Sequence, residues 1–234
     1  MRRPFKFKQF EIQQENVAMP VTTDACILGA YANFENCKTV LDIGAGSGVL
    51  GLMLAQRYPF AQITALEIHE PSFLECKKNI ENSIFAKRME AICADILNFK
   101  PQNKYDGIVW NPPFFENQLA SALPDKKLAR HTQGLNYSVF SEILKTNLAD
   151  TGKAWLLIPD SHLELMKTHL STAKYGIVSA TSIAANTAKS PHLWMLNIME
   201  GEFETTFLSM ITYGQKGEYG DEMRTLLGGF YLNM

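Results

Sequence analysis

The stretch Val40-Leu41-Asp42-Ile43-Gly44-Ala45-Gly46-Ser47-Gly48-Val49-Leu50-Gly51 decides how the chain folds. It begins inside a short apolar strand, Thr39 to Ile43, which three glycines then break. Val49, Leu50, Met53 and Leu54 open a helical pattern directly afterwards. Glycines at these places let the backbone approach a ligand at the helix N-terminus, where a side chain would block it. Two registers are open. From Gly46 the stretch satisfies G-x-G-x-x-G through Gly48 and Gly51; from Asp42 it is an acid followed by G-x-G-x-G. A fingerprint should begin where the strand ends, and the first glycine after Ile43 is Gly44, which favours the second. Glu67 closes the next strand 23 residues beyond Gly44, where an acid can accept hydrogen bonds from both hydroxyls of a ribose. Either register therefore points to a nucleoside cofactor.

Outward from this stretch the chain alternates strand and helix patterns. Gln62–Glu67, Arg88–Ala94, Tyr105–Trp110 and Lys153–Ile158 read as further strands. A helix opens at Pro71 and Ser72 with Phe73, Leu74 and Ile80 on its apolar side, and another spans Tyr137–Leu148. Five strands alternating with helices predict an α/β fold with a parallel, doubly wound sheet covered on both faces. Gly176–Ala185, His192–Met199 and Phe203–Thr212 follow as strands, the last two joined by a short connection. Those two are expected to pair antiparallel at one edge, because a parallel pair needs a long crossover. A final helix, Asp221–Leu227, stops at Gly228 and Gly229.

At 234 residues, 46% hydrophobic and 20% charged, the chain can bury a sizeable core without disulfides or metal. No apolar run is long enough for a membrane span, and the basic N-terminus is not followed by the apolar core of a signal peptide, so a cytoplasmic location is expected. Cys26, Cys37, Cys76 and Cys93 form no C-x-x-C pair and read as reduced, buried thiols. His69, His162, His169 and His192 show no ligand spacing, and no metal is expected. Trp110, Trp155 and Trp194 fall in strands and read as core. A formal net charge of −2 excludes a globally basic nucleic-acid binder and leaves room only for a local patch. Residues 1–20 read as a basic, aromatic extension and 21–234 as a single domain, with a monomer expected.

The fourth strand runs into Asn111-Pro112-Pro113-Phe114. Two prolines fix φ and stop both helix and ladder, holding Asn111 at the carboxyl edge of the sheet, where α/β folds bind ligands. The Asn side-chain oxygen and the Pro112 carbonyl are acceptors, and together they can take both N–H bonds of a planar amino group. Phe114 can offer its face to a flat ring. Such a set serves chemistry in which the lone pair of an exocyclic or amide nitrogen is freed and aimed at an electrophile.

The order and spacing of Asp42–Gly48, Leu66-Glu67-Ile68, Ala94-Asp95 and Asn111–Phe114 resemble a class I S-adenosylmethionine-dependent methyltransferase of the amino-methylating branch. Within it, Phe5–Ile12, Thr23–Ala32, Ala129–Phe140 and Gly228–Met234 resemble the bacterial tRNA(Val) adenine-N6 methyltransferases, which act on adenosine 37 of the anticodon loop. Pro20 and Ala25 depart from the pattern of that family's N-terminal block. The resemblance implies a Rossmann-like sheet with S-adenosyl-L-methionine as cofactor and S-adenosyl-L-homocysteine as product. It places Asp42 near the cofactor's amino group, Gly44, Gly46 and Gly48 along its amino-acid and ribose portion, and Glu67 on the ribose diol. Ile68 would pack on the adenine and Asp95 accept from its amino group, with Thr23, Ile96 and Asn111 completing the pocket. Asn111, Pro112, Pro113 and Phe114 would hold and stack the substrate base.

Arg2, Arg3, Lys6 and Lys8 give the first eight residues a charge of +4, interleaved with Phe5 and Phe7, a combination suited to phosphate contact and stacking on an unpaired loop. Lys126, Lys127 and Arg130, beside His131, form a second candidate RNA contact. His131 is not required as a base, because an amine held in its neutral form needs little proton removal before attack. Four other activities fit parts of the pattern: N5-methylation of a protein glutamine, guanine-N2 methylation of rRNA, adenine methylation of DNA, and nicotinamide-dependent oxidoreduction. The last lacks a tyrosine with a lysine four residues on and leaves the Asn-Pro-Pro-Phe quartet unexplained. A non-catalytic scaffold predicts a damaged turn or quartet, and both are intact.

Overall fold

The computed structural model describes residues 2–112, 137–214 and 217–233. A two-stranded antiparallel ribbon, β1 (Phe5–Lys6) and β2 (Glu11–Ile12), leads into helix α1 (Thr23–Tyr31). The alternating part follows as β3 (Thr39–Ile43), α2 (Val49–Arg57), β4 (Gln62–Glu67), α3 (Glu70–Glu81), β5 (Met89–Cys93) and β6 (Tyr105–Trp110). Beyond it come α4 (Tyr137–Asn147), β7 (Leu148–Pro159), α5 (Leu163–Thr172), β8 (Tyr175–Ala184), β9 (Leu193–Glu200), β10 (Thr206–Ile211) and α6 (Asp221–Leu227). The main sheet has the order β10-β8-β9-β7-β6-β3-β4-β5, and every pairing in it is parallel except those of β9.

Successive strand residues face opposite sides, so the sheet divides the core in two. Val40, Ile63 and Val109 pack with Ile27, Leu28, Leu52, Met53 and Ile80 of α1, α2 and α3. Leu41, Ile108 and Leu156 pack on the other side with Phe140, Leu144, Met166 and Leu170 of α4 and α5. Each fully buried aliphatic or aromatic side chain contributes about 1.5–3 kcal/mol, so both layers are needed to offset chain entropy.

Helices α1 and α5 have no counterpart among the sequence expectations. Residues Ala25 to Ala30 of α1 are all buried, so no amphipathic period marks the helix; its start is fixed by Thr22, whose hydroxyl accepts the Ala25 N–H at 3.2 Å. Helix α5 does carry a period, Leu163, Met166 and Leu170, and those are its buried residues. In α3 the expected face is turned. Leu74 is exposed, whereas Ser72, Glu75, Cys76, Asn79 and Ile80 are buried, because the arm of residues 13–18 lies on this face and bonds to its polar groups.

The expected antiparallel pairing of His192–Met199 with Phe203–Thr212 is not made. Strand β9 inserts between β7 and β8, antiparallel to both, and β10 lies outside β8 and parallel to it, from Thr206 opposite Ser179 to Ile211 opposite Ala184. The long crossover that a parallel pair requires is supplied by residues 185–205, with β9 itself inside it. The link from β9 to β10 has only one strand to pass, a lateral distance of about 10 Å that a few extended residues span. It passes tightly over Gly176, where a Cβ would stand 2.6 Å from the Gly201 carbonyl oxygen and 2.8 Å from the Phe203 ring.

Strand Gly→Ala changes ordinarily gain stability through chain entropy. Gly176→Ala is expected to lose about 1–3 kcal/mol by overpacking against this crossing, measured by urea unfolding. Equal or greater stability would contradict it.

Candidate active site

The sheet reverses its strand order at β3: the chain moves outward through β4 and β5 on one side and returns through β6 on the other. Ligands bind at the carboxyl ends of strands at such a point. Ile43 is in register with both Leu66 and Trp110, and Glu67 with Cys93. The turn beginning at Gly44, the Glu67 carboxylate, the segment from Ala94 and the pair Asn111-Pro112 therefore share one edge.

The turn has left-handed backbone at three places, with φ of 65° at Gly44, 57° at Gly46 and 84° at Gly48. Side chains there would be strained, and at Gly48 a Cβ would also meet the Cys76 sulfur at 2.9 Å. Gly44 opens towards the crevice, its added Cβ meeting only the Trp110 indole nitrogen at 3.8 Å. Trp110 is half-buried and borders the turn, and Trp194 is also half-buried, so of the three tryptophans read as core only Trp155 is buried.

Glu67 bridges two loops. One oxygen accepts the Gly46 N–H at 2.8 Å and the other the His69 N–H at 2.8 Å. A carboxylate offers about four acceptor positions, so each oxygen keeps capacity for a ligand hydroxyl. Behind the turn, Asp42 is fully buried, with one oxygen accepting the Gly51 N–H at 2.9 Å and Oδ1 without a hydrogen-bond partner among the described residues. Burial pushes this carboxyl up to about 7 against the pull of the Gly51 N–H, and the Glu67 charge adds to the rise.

Half-buried Asp95 and Ile96 follow β5. Asp95 accepts the Leu97 N–H at 2.9 Å and the Asn98 side-chain amide at 3.3 Å, which fixes its carboxylate. Ile68 is half-buried after β4, and Asn111 is half-buried and Pro112 buried after β6. Thr23 opens α1, and its hydroxyl lies 3.3 Å from that of Tyr219. Gly29 packs on Leu50 and Met53, and Arg57 donates to the Gly29 and Ala32 carbonyls, so α1 and α2 lie side by side with their C-terminal ends together.

The structure thus gathers Asp42, Gly44, Gly46, Gly48, Glu67, Ile68, Asp95, Ile96, Asn111 and Pro112 at one edge, and sets Thr23 at the start of α1 beside Tyr219. Pro113, Phe114, Lys126, Lys127, Arg130 and His131 lie outside the described residues. The N-terminal basic residues are distributed along the arm: Arg2 donates to the Val17 carbonyl, Lys6 pairs with Glu11 and Lys8 donates to the Gly228 carbonyl. Their aromatic neighbours are not surface platforms. Phe7 is buried between Phe10 and Tyr231, and Phe5 packs on Phe7, because the arm closes over the hydrophobic core. Cys26 and Cys76 are buried, as read, but Cys37 is only half-buried and Cys93 is exposed at the end of β5. Among the described residues no group of three or more His, Cys, Asp or Glu side chains could hold a metal ion, and no helix is long and apolar enough to cross a membrane.

Sequence reasoning missed Ser72, Cys76 and Asn79, which back this edge. The available signal was a polar i, i+3, i+7 pattern, Ser72, Glu75 and Asn79, on the face of α3 that also carries Cys76 and Ile80.

The sheet, its reversal point and the glycine turn define a class I methyltransferase fold. A solved structure of a predicted O-methyltransferase from Agrobacterium tumefaciens superposes with a TM-score of 0.69 over 88% of this chain and 95% of that one, at 17% identity. The family model for the methyltransferase small domain matches residues 28–134. Two relatives match nearly end to end, both described as tRNA1(Val) (adenine(37)-N6)-methyltransferases. One, from Shewanella loihica, is 36% identical over 99% of this chain and 100% of its own length. The other, from Pedobacter heparinus, is 34% identical over 99% of each. The chain belongs to the tRNA1(Val) (adenine(37)-N6)-methyltransferase family.

The Asp42 carboxyl has a consequence for stability. Its folded value, about 7, lies above the ordinary 3.8. Below about pH 4 the group is protonated in both states and costs nothing; as pH rises towards 7 the unfolded chain ionises freely while the folded one resists, so stability drains across that window. Asp42→Asn removes this titration. The melting temperature of wild type relative to Asp42→Asn, without ligand, is expected to fall by several degrees between pH 4 and pH 7 and to level off above. A difference independent of pH would contradict the buried, elevated carboxyl.

Proposed function

We propose that this protein transfers a methyl group from S-adenosylmethionine to the N6 amine of an adenine in tRNA, adenosine 37 of tRNA(Val). The observation that carries this reading is the position of Asn111-Pro112, directly after Trp110, whose partner Ile43 leads into the glycine turn, in a chain that matches relatives of that description over nearly its whole length. Residues 21–234 act in this reading as the methyltransferase domain and 1–20 as an extension laid over it.

The edge suits the cofactor. Gly44 leaves room for close approach, Glu67 keeps acceptor capacity for a ribose diol, and Asp95 is fixed to receive an adenine amino group. Thr23, Gly46, Gly48, Ile68 and Ile96 line the remaining contacts, and Asp42 sits behind the turn as a buried negative charge when ionised. When bound, S-adenosylmethionine supplies an electrophilic methyl group on a sulfonium.

The chain's own work is alignment. An adenine amine is a poor nucleophile because its lone pair is delocalised into the ring. The Asn111 side-chain oxygen and the Pro112 carbonyl accept its two N–H bonds, fixing both hydrogens and turning the lone pair out of conjugation. The two carbonyl dipoles would then stabilise the positive charge that develops on the amine nitrogen as it accepts the methyl group. The extra proton leaves to water, so no strong base is required. Phe114 stacks on the extruded base, whose removal from its neighbours costs little in an unpaired loop. Arg2, Arg3, Lys6 and Lys8 on the arm, with Lys126, Lys127 and Arg130, neutralise phosphates.

Two variants separate these roles. Asn111→Ala should lower kcat by at least about 100-fold while the Kd for S-adenosylhomocysteine stays within a few-fold, and near-wild-type turnover would remove Asn111 from the mechanism. Glu67→Ala should weaken the cofactor by about tenfold or more with a much smaller effect on kcat at saturation, and unchanged affinity would remove the ribose role.

A further inference from the structure

Asn79 lies on the buried side of α3, outside the set of groups that would touch the cofactor or the base, and is only 2% exposed. Its side-chain amide joins three segments. The oxygen accepts the Gln13 N–H at 2.9 Å, and the nitrogen donates to the Gln13 carbonyl at 2.8 Å and to the Ser47 carbonyl at 2.9 Å. Reversing the amide would set its NH2 against an N–H and its oxygen against two carbonyl oxygens, so the partners fix its orientation.

Ser47 stands between Gly46 and Gly48, two residues in left-handed backbone. Glycine permits that conformation without favouring it, so the tilt of each peptide in the turn depends on what holds its polar groups. Gly46 N–H is held by Glu67 and Gly48 N–H by the Ala45 carbonyl at 2.7 Å. The Ser47 carbonyl is held by Asn79.

The neighbouring rungs of α3 have a different task. Ser72 accepts the Ala18 N–H, and Glu75 accepts the backbone and side-chain N–H groups of Asn16; both fasten the arm without bonding the turn. Only Asn79 among these three bonds both the arm and the turn.

We propose that Asn79 is a positioning residue for the cofactor turn: its amide holds the Ser47 carbonyl and so sets the backbone that receives S-adenosylmethionine, with the arm at Gln13 fixing the amide in turn. This rests on the cofactor reading above, and it adds a group that acts through Ser47 rather than by touching the ligand.

Asn79→Asp keeps the acceptor for Gln13 N–H but loses both donated bonds and puts a carboxyl against two carbonyl oxygens. Glu75→Ala frees Asn16 and loosens the arm while leaving Ser47 anchored, and so serves as the comparison. Binding of S-adenosylhomocysteine is measured by calorimetry, thermal melting reports stability, and KM for S-adenosylmethionine is separated from kcat. Asn79→Asp is expected to raise Kd and KM about tenfold with kcat at saturating cofactor within about twofold, whereas Glu75→Ala lowers the melting temperature and leaves Kd within about twofold. Should Asn79→Asp not fold, Asn79→Ser removes the bridge with a smaller side chain and is expected to show the same split. Unchanged affinity in the Asn79 variant overturns the proposal, as does an equal loss of affinity in Glu75→Ala, which would trace the effect to arm stability alone. Wild-type protein that binds no S-adenosylhomocysteine overturns the cofactor reading itself and this inference with it.

Discussion

The hydrogen bond from the Gly46 N–H to Glu67, whose other oxygen accepts the His69 N–H, ties the loop after β3 to the loop after β4. It can form only because three glycines accept left-handed backbone and because Ile43 and Leu66 are level in the sheet. Glu67 cannot occupy this place without a partner for its charge, and the turn cannot hold its shape without acceptors for its N–H groups. Each supports the other, and both depend on the register of the parallel strands beneath them. The remaining parts of the site are arranged around this contact: Asp42 behind it, Trp110 and Asn111 on the β6 side, Asp95 on the β5 side.

That dependence explains why polar residues are concentrated in the interior here. Asp42, Ser47, Glu67, Ser72, Glu75 and Asn79 are all buried, and together they cluster at the carboxyl end of β3 and β4 and on the inner face of α3. An apolar set would pack as well but would leave the backbone of the turn and of the arm without partners. The elevated Asp42 carboxyl is a cost of that arrangement. Its burial behind the turn keeps water away, and that desolvation is what raises it.

Most of the site was legible in the sequence because its elements are local. Strand, glycine turn and helix fall within one short stretch, and Glu67, Asp95 and Asn111 each lie at or just past the end of a strand. What was not legible depends on contacts distant in sequence. The burial of α3 followed the polar stripe Ser72, Glu75 and Asn79 rather than Leu74, since the face is covered by residues 13–18; the stripe marks a polar partner without saying which distant segment supplies it. Strand β10 paired with β8 instead of β9 because β9 had both its edges taken, a matter of sheet assembly rather than connection length. Phe5 and Phe7 read as surface aromatics beside lysines, yet Phe7 meets Tyr231 from the far end of the chain. Helix α1, buried on all sides, carried no amphipathic signal at all.

Methylation of an adenine amine in tRNA at this edge leaves a chemical mark that can be read directly. The most direct measurement is transfer of a labelled methyl group from S-adenosylmethionine to total tRNA from a strain lacking the protein, followed by nucleoside analysis and mapping of the label. Label is expected in N6-methyladenosine at position 37 of tRNA(Val). Label in a protein glutamine, in guanine, or no transfer to RNA by protein that binds the cofactor would contradict it.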